Sequence, residues 1–292
     1  MNGFLLIDKP SGISSAGCVY KLRKVLKISK IGHCGTLDPL ATGVLPLCIG
    51  EATKFSNYIS DQSKEYEVEI LFGIQTTTGD LEGEEIFNEP FKIDELKLEK
   101  TIKRFLGTQS QVPPMYSAIK INGNPLYYWA RKGVYFKRKV RQIHIDAIGI
   151  LASSNNKATL RISCTKGTYI RSLVEDIGVD LSTRATVINL RRTKVGLIGE
   201  EGLVELGASI EEFRSKLVAS DQLLNHLPSI QLNEIDAKKI RNGRPVDYNV
   251  DQDLEGLVRI YQGKSLFIGL GSIDSSNTVS AKRLLSTLQT DQ

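Results

Sequence analysis

Asp38 is the one carboxylate between Lys9 and Gly50, a span that also carries Lys21, Arg23, Lys24, Lys27 and Lys30. It stands in Gly32-His33-Cys34-Gly35-Thr36-Leu37-Asp38-Pro39-Leu40-Ala41-Thr42-Gly43-Val44-Leu45-Pro46. Glycines and prolines at this density give a shaped loop rather than a regular element. A carboxylate fixed among cations favours its charged form. Such a group can act as a nucleophile, and the surrounding positive field draws a polyanion towards it. Spacing alone equally allows Asp38 to cap a short helix with Pro39 at the first helical position.

The flanking pattern indicates what must hold this loop. Phe4 to Ile7 reads as a short strand, and Ser14 can cap a helix whose apolar positions are Cys18, Leu22, Val25 and Leu26. From Glu65 to Gly73 the period drops to two, with Tyr66, Val68, Ile70 and Phe72 on one face. A helix is predicted over about 94–106, with Leu98, Ile102, Phe105 and Leu106 inward and Gly107 as its stop. Ala158 to Cys164 alternates as a strand, and Lys166-Gly167-Thr168 turns into a helix with Ile170, Leu173, Val174 and Ile177 inward. Tyr169 and Arg171 therefore fall at a strand-to-helix junction, where functional side chains are often presented.

Residues 109–145 are less regular. They combine Tyr127, Tyr128 and Trp129 with Arg131, Lys132, Lys137, Arg138, Lys139 and Arg141, and Arg131 to Ile145 contains no acid. Aromatics among cations suit stacking on bases beside phosphate contacts, although an arm packing its aromatics on its own domain has the same composition. After Leu227-Pro228, short strand-like segments separated by Gly-rich turns suggest a small all-β unit. Strands and helices without regular βαβ alternation argue for an α+β fold in the larger part.

The chain has 292 residues, a net charge of +5 and a pI near 8.9, with 41% hydrophobic and 24% charged residues. Length and composition suit one large domain and a small one. The basic excess permits nucleic-acid binding. No apolar run approaches a membrane span and Met1–Asp8 lacks a signal-peptide pattern, so a cytoplasmic location and no membrane partner are expected. Cys18, Cys34, Cys48 and Cys164 are scattered, as are His33, His144 and His226, so no metal or other cofactor is expected. Gly50-Glu51-Ala52-Thr53-Lys54 lacks the glycine spacing of a P-loop.

The Gly32–Leu45 stretch resembles the catalytic motif of the tRNA pseudouridine synthase B (TruB) family. The resemblance extends to Asp8-Lys9-Pro10-Ser11-Gly12-Ile13-Ser14-Ser15, Gly50-Glu51-Ala52-Thr53-Lys54-Phe55 and Pro114-Met115-Tyr116-Ser117-Ala118-Ile119-Lys120. It continues through Lys166-Gly167-Thr168-Tyr169-Ile170-Arg171-Ser172-Leu173 and Leu190-Arg191-Arg192. Asn242-Gly243-Arg244-Pro245-Val246 with Glu255-Gly256-Leu257-Val258 resembles the small RNA-binding PUA barrel that ends bacterial members.

The resemblance implies a pseudouridine-synthase catalytic domain over 1–227 with a mixed, largely antiparallel sheet and an RNA-gripping insertion at about 109–145. A PUA-like β-barrel would occupy 228–292. The implied activity is isomerisation of uridine 55 in the tRNA T-loop to pseudouridine without a cofactor. The partner is then the T-loop and stem of tRNA, and nothing demands more than a monomer. By the same resemblance Asp38 is the nucleophile, Arg171 its ion-pair partner, and Tyr66 the ring that stacks on the target base. Tyr169, Leu190 and Lys9 would also meet the substrate, and His33 would fill space vacated by flipped bases, offsetting part of the stacking lost. Two positions depart from the family pattern: Cys34 replaces a threonine, and Thr77 replaces an aspartate in Thr76-Thr77-Thr78-Gly79-Asp80. An RNA-binding or tRNA-folding protein without catalysis is the alternative, but it would not need both Asp38 and Arg171. A hydrolase with an aspartate nucleophile would call for an acidic metal cluster or a second carboxylate near Asp38.

Overall fold

The computed structural model describes residues 1–248 and 254–286. Strands β1 (Gly3–Lys9), β2 (Ile31–His33), β3 (Thr42–Ile49) and β4 (Lys64–Phe72) open the chain. Between them lie α1 (Ser15–Leu26) and α2 (Ser56–Ser60). The hairpin β5 (Ile74–Thr76) and β6 (Glu85–Asn88) leads to α3 (Glu95–Arg104) and β7 (Gly107–Gln111). A small hairpin, β8 (Lys120–Ile121) and β9 (Asn124–Pro125), and α4 (Leu126–Ala130) precede the long strands β10 (Arg141–Ser154) and β11 (Lys157–Cys164). Helix α5 (Ile170–Asp180), β12 (Ala185–Val195), β13 (Val204–Glu205) and α6 (Ile210–Ser215) complete the larger part.

These strands form a nine-stranded sheet in the order β13-β1-β3-β12-β4-β11-β10-β7, with β2 paired to β3. Only β1–β13 and β3–β12 run parallel, so the sheet is mixed and largely antiparallel. The alternation of β4 is complete, with Tyr66, Val68, Ile70 and Phe72 in the core under α1, α3 and α5. Its other face pairs Glu67 with Arg161 and Glu65 with Lys194, as expected for a solvated face. Helix α1 is capped by Ser14, whose hydroxyl accepts from Gly17 N. In the 94–106 segment Asp94 is the cap and Leu98 and Ile102 are buried, but Leu106 is 41% exposed. The helix ends at Arg104, so Leu106 lies beyond the last turn and off the inward stripe.

The expected insertion is narrower than 109–145. Gly107–Gln111 and Arg141–Ser154 pair with each other as the sheet edge, so only 112–140 leaves the sheet. That excursion carries its own apolar cluster of Met115, Leu126 and Ala130. Its Asn122-Gly123 turn has φ of 51° and 80°, the left-handed pair that a tight hairpin requires.

The C-terminal part adds β14 (Ser229–Leu232), α7 (Glu234–Arg241), β15 (Val246–Asp247), β16 (Gly256–Gln262), β17 (Leu266–Ile273) and β18 (Thr278–Leu284). Their order, β14-β16-β17-β18-β15, makes an open, half-barrel sheet. Residues 249–253 and 287–292 of the expected 228–292 unit lie outside the described residues. This sheet meets the larger part through an apolar cluster that unites Phe4, Phe55 and Ile59 with Phe267, Leu270 and Leu285. The Phe55 and Phe267 ring centroids are 5.7 Å apart, a contact worth about 1 kcal/mol beyond simple burial.

Candidate active site around Asp38

Asp38 lies on the loop between β2 and β3, and no helix follows it. The helix-cap alternative therefore fails: Asp38 O instead accepts from Ala41 N at 3.1 Å, closing a tight turn that returns the chain into β3. Gly43 has φ of 96°, and a Cβ there would collide with the carbonyl oxygen of Arg192. The loop is thus pressed directly onto β12.

Arg171 sits in the first turn of α5, 4% exposed. Its Nε donates to Asp38 Oδ2 at 2.8 Å, Nη1 to Thr78 O at 2.7 Å and Nη2 to Tyr116 O at 2.7 Å. Each edge of the guanidinium is held by a different loop, so its orientation is set before any ligand arrives. Asp38 Oδ1 has no hydrogen-bond partner among the described residues, which leaves one carboxylate oxygen uncommitted.

The loop of the β5–β6 hairpin brings in a second carboxylate, to which neither spacing nor resemblance assigns a role. Asp80 is 2% exposed, and its Oδ2 lies 3.5 Å from Arg171 Nε. Its Oδ1 accepts from Thr78 Oγ1 at 2.5 Å and Glu82 N at 3.1 Å. Gly79, with φ of 75°, lets this loop approach α5: a Cβ there would lie 3.0 Å from Glu175 Oε1. Thr77, the departure from the family pattern, accepts from Glu84 N at 3.1 Å and closes the loop. The signal available in sequence was an acid set directly after three threonines and a glycine, at the head of an acidic run through Glu85.

Asp38 stands where two cavities meet. The inner one, about 210 Å³, is lined by Asp38, Tyr66, Tyr169, Leu190, Lys64 and Arg192. The outer one, about 370 Å³, is lined by Asp38, His33, Arg171, Tyr127 and Arg131, with α1 contributing Ser15 and Ala16. Tyr66 and Leu190 are buried on the inward faces of β4 and β12. Burial pushes the Tyr66 hydroxyl up from its ordinary pKa, partly countered by the nearby Arg192 charge. Tyr169 precedes α5, and the Gln111 side-chain amide brackets its backbone, accepting from Tyr169 N at 2.8 Å and donating to Tyr169 O at 3.0 Å. His33 ends β2; burial first, and Arg192 second, lower its pKa, and its Nδ1 is buried without a hydrogen-bond partner.

Lys9 is the one expected substrate contact that the structure places elsewhere. It is fully buried, and its ammonium donates to the carbonyls of Pro10 (2.9 Å), Ile13 (2.6 Å) and Pro39 (3.0 Å). With its donors spent it ties the strand end to the residue after Asp38, which is a structural task.

Among the described residues no His/Cys/Asp/Glu group could hold a metal ion. Two family models cover the chain: "TruB family pseudouridylate synthase (N terminal domain)" matches residues 23–170, and "Pseudouridine synthase II TruB, C-terminal" matches 228–285. The chain belongs to the TruB family of pseudouridylate synthases. Its relatives within the family include tRNA pseudouridine synthase B of Pseudomonas fluorescens (strain Pf0-1), 42% identical over 98% of this chain and 96% of that protein. That of Stutzerimonas stutzeri (strain A1501) is 40% identical over 98% and 96%. Among solved structures, a chain of a Cbf5-Nop10-Gar1 complex superposes with a TM-score of 0.74 at 25% identity, covering 97% of this chain and 84% of that one. A chain of an H/ACA RNP bound to a substrate RNA containing 2′-deoxyuridine gives 0.74 at 23%, covering 98% and 85%, a likeness of fold. TruB membership makes this an isomerase.

Proposed function

We propose that this TruB-family protein converts uridine 55 in the T-loop of tRNA to pseudouridine, with Asp38 as nucleophile. The observation that carries the reading is the Asp38–Arg171 pair at 2.8 Å, oriented by two further guanidinium hydrogen bonds at the junction of two cavities. The base enters the inner cavity against Tyr66, with Leu190 and Tyr169 as walls. His33, in the outer cavity, fills space in the opened loop. Asp38 engages the nucleoside through its uncommitted oxygen while Arg171 holds the other. The names of the relatives support tRNA as the substrate.

The 112–140 excursion supports RNA binding. Arg131 lies over the Tyr127 ring at 5.6 Å and Lys132 over Tyr128 at 4.5 Å, while Tyr135 is 70% exposed. Cationic and stacking surfaces are thus presented together on the excursion, and Tyr127 and Arg131 carry them to the outer cavity. The C-terminal half-barrel is a second RNA contact, and the protein acts as a cytoplasmic monomer. The test is incubation with an unmodified tRNA transcript and mapping of pseudouridine at nucleotide resolution. Pseudouridine at position 55 is expected; binding without conversion would favour an RNA-folding role, and conversion elsewhere would overturn the assigned position.

A further inference from the structure

Two buried cations lining the inner cavity make no ion pair among the described residues. Arg192 is 1% exposed and lies directly opposite Tyr66 across the β12–β4 ladder, where facing Cβ atoms are about 5 Å apart. It donates through Nε to Val44 O at 2.8 Å and through its terminal nitrogens to Thr36 O and Gly35 O at 3.4 Å each. Lys64, two residues before Tyr66 on the same inward face of β4, is 7% exposed. Its ammonium donates to Ser60 O and Gln62 O, both at 2.5 Å. Neither cation has a carboxylate within ion-pair distance among the described residues. Carbonyl oxygens accept the hydrogen bonds that both cations make, but no carboxylate pairs directly with either charge, a costly arrangement for a buried ion.

The cost is visible in the neighbours. Burial, with Arg192 next, brings Lys64 down to about 8; burial and then Arg192 lower His33, and the Arg192 charge pulls against the burial-driven upward shift of Tyr66. Perturbed groups gathered around two joined cavities mark a site where the missing counter-charge arrives with the ligand.

We propose that Lys64 and Arg192 form a fixed cationic floor that stabilises the uracil ring as an anion between its release from the sugar and its reattachment. The inference rests on the pseudouridine-synthase reading and deepens it. Whichever atom of the nucleoside Asp38 engages, the C1′–N1 bond breaks with its electron pair on the base, delocalised over N1, O2 and O4. The bond from C5 to C1′ then forms, the C5 proton leaves and N1 gains one, so atoms and charge balance without a co-reactant. Preorganised positive charge aimed at a developing anion in a water-poor cavity needs no reorganisation at the moment of reaction.

The competing account is structural: Arg192 merely ties Gly35 and Thr36 to β12. Single-turnover detachment of the target nucleoside distinguishes them, using tRNA transcripts that contain uridine or 5-fluorouridine and following loss of the target in nuclease digests. Fluorine withdraws electron density and stabilises the anion by itself. Lys64→Met and Arg192→Gln are expected to slow detachment of uridine at least tenfold, with a clearly smaller loss for 5-fluorouridine. Arg192→Lys, which keeps charge without the planar fork, should recover much of what Arg192→Gln loses. Equal losses on both substrates, no loss in Lys64→Met, or an Arg192→Lys protein as slow as Arg192→Gln with near-native melting would each overturn the proposal. If Arg192→Gln does not fold, Lys64→Met and Arg192→Lys still decide it. Failure of the unaltered protein to convert uridine would instead sink the synthase reading itself.

Discussion

Arg171 meets Asp38 through Nε alone, at 2.8 Å, and commits both terminal nitrogens to the backbone carbonyls of Thr78 and Tyr116. The guanidinium is therefore a three-way brace as much as an ion-pair partner. It ties α5 to the Asp38 loop, to the β5–β6 hairpin and to the base of the 112–140 excursion. Movement of either neighbouring loop is thereby coupled to the orientation of Asp38.

Asp38→Asn keeps the shape of the side chain and removes the nucleophile. Pseudouridine formation should vanish while tRNA affinity stays within about tenfold, roughly 1.4 kcal/mol. Turnover by a purified Asp38→Asn protein, free of unaltered enzyme, would remove Asp38 from that role.

Arg171→Lys retains a charge but cannot make three directed bonds from one planar group. The single-turnover rate should fall by at least an order of magnitude, about 1.4 kcal/mol of barrier. An unaltered rate would mean that the brace has no part in catalysis.

Asp80 supplies a second, buried carboxylate to the same guanidinium at 3.5 Å. Asp80→Asn preserves the bonds from Thr78 Oγ1 and Glu82 N but removes the charge. The rate should drop at least tenfold at saturating tRNA with little change in affinity. A change confined to affinity would assign Asp80 to binding instead.

Lys64 gives a pH signature. Its pKa falls to about 8 from an ordinary 10.5, through burial and the Arg192 charge, with Lys166 opposing protonation and Cys164 and Asp61 favouring it. Between these values the unfolded chain holds the proton that the folded protein has released, so the Lys64 contribution to stability rises with pH. Below about 8 both states are charged and the folded state bears the full desolvation cost. Burial also raises Cys164 to about 11, which lowers stability over an overlapping range, so the comparison must cancel it. The stability of the unaltered protein relative to Lys64→Met should increase by on the order of 3 kcal/mol from pH 7.5 to 10.5. Denaturant melts at both pH values that stay parallel would contradict the shift.

Lys132, Lys137 and Lys139 are exposed on the excursion, whereas Arg138 is half-buried. Replacing the three lysines with glutamine should weaken tRNA binding and reduce the slope of log affinity against log salt by about 2, at roughly 0.7 per contact. Saturating tRNA should largely restore the rate. An unchanged slope would mean a solvated arm without phosphate contacts.

Some of this molecule is legible residue by residue. The period-two run of β4, the helical spacing after Tyr169 and the turn-forming density around Asp38 are all local, because neighbouring side chains must face one core or one solvent. The roles expected of Asp38 and Arg171 came from the family resemblance carried by the motif order, not from those local patterns. The resemblance also implied that the two pair; tertiary structure alone decided how they meet and what else meets them. Arg171 reaches Asp38 across 133 positions and Thr78 across 93, and no local period encodes such distances. The same holds for Asp80, for Arg192 opposite Tyr66, and for the true limits of the excursion, which depend on β7 pairing with β10. Lys9 carries the clearest lesson. The resemblance implies a substrate contact for it, yet three carbonyls converge on its ammonium once the Asp38 loop has folded over β1. Charge is written in the chain; whether it faces water, substrate or backbone is settled by which distant segments pack around it in the fold.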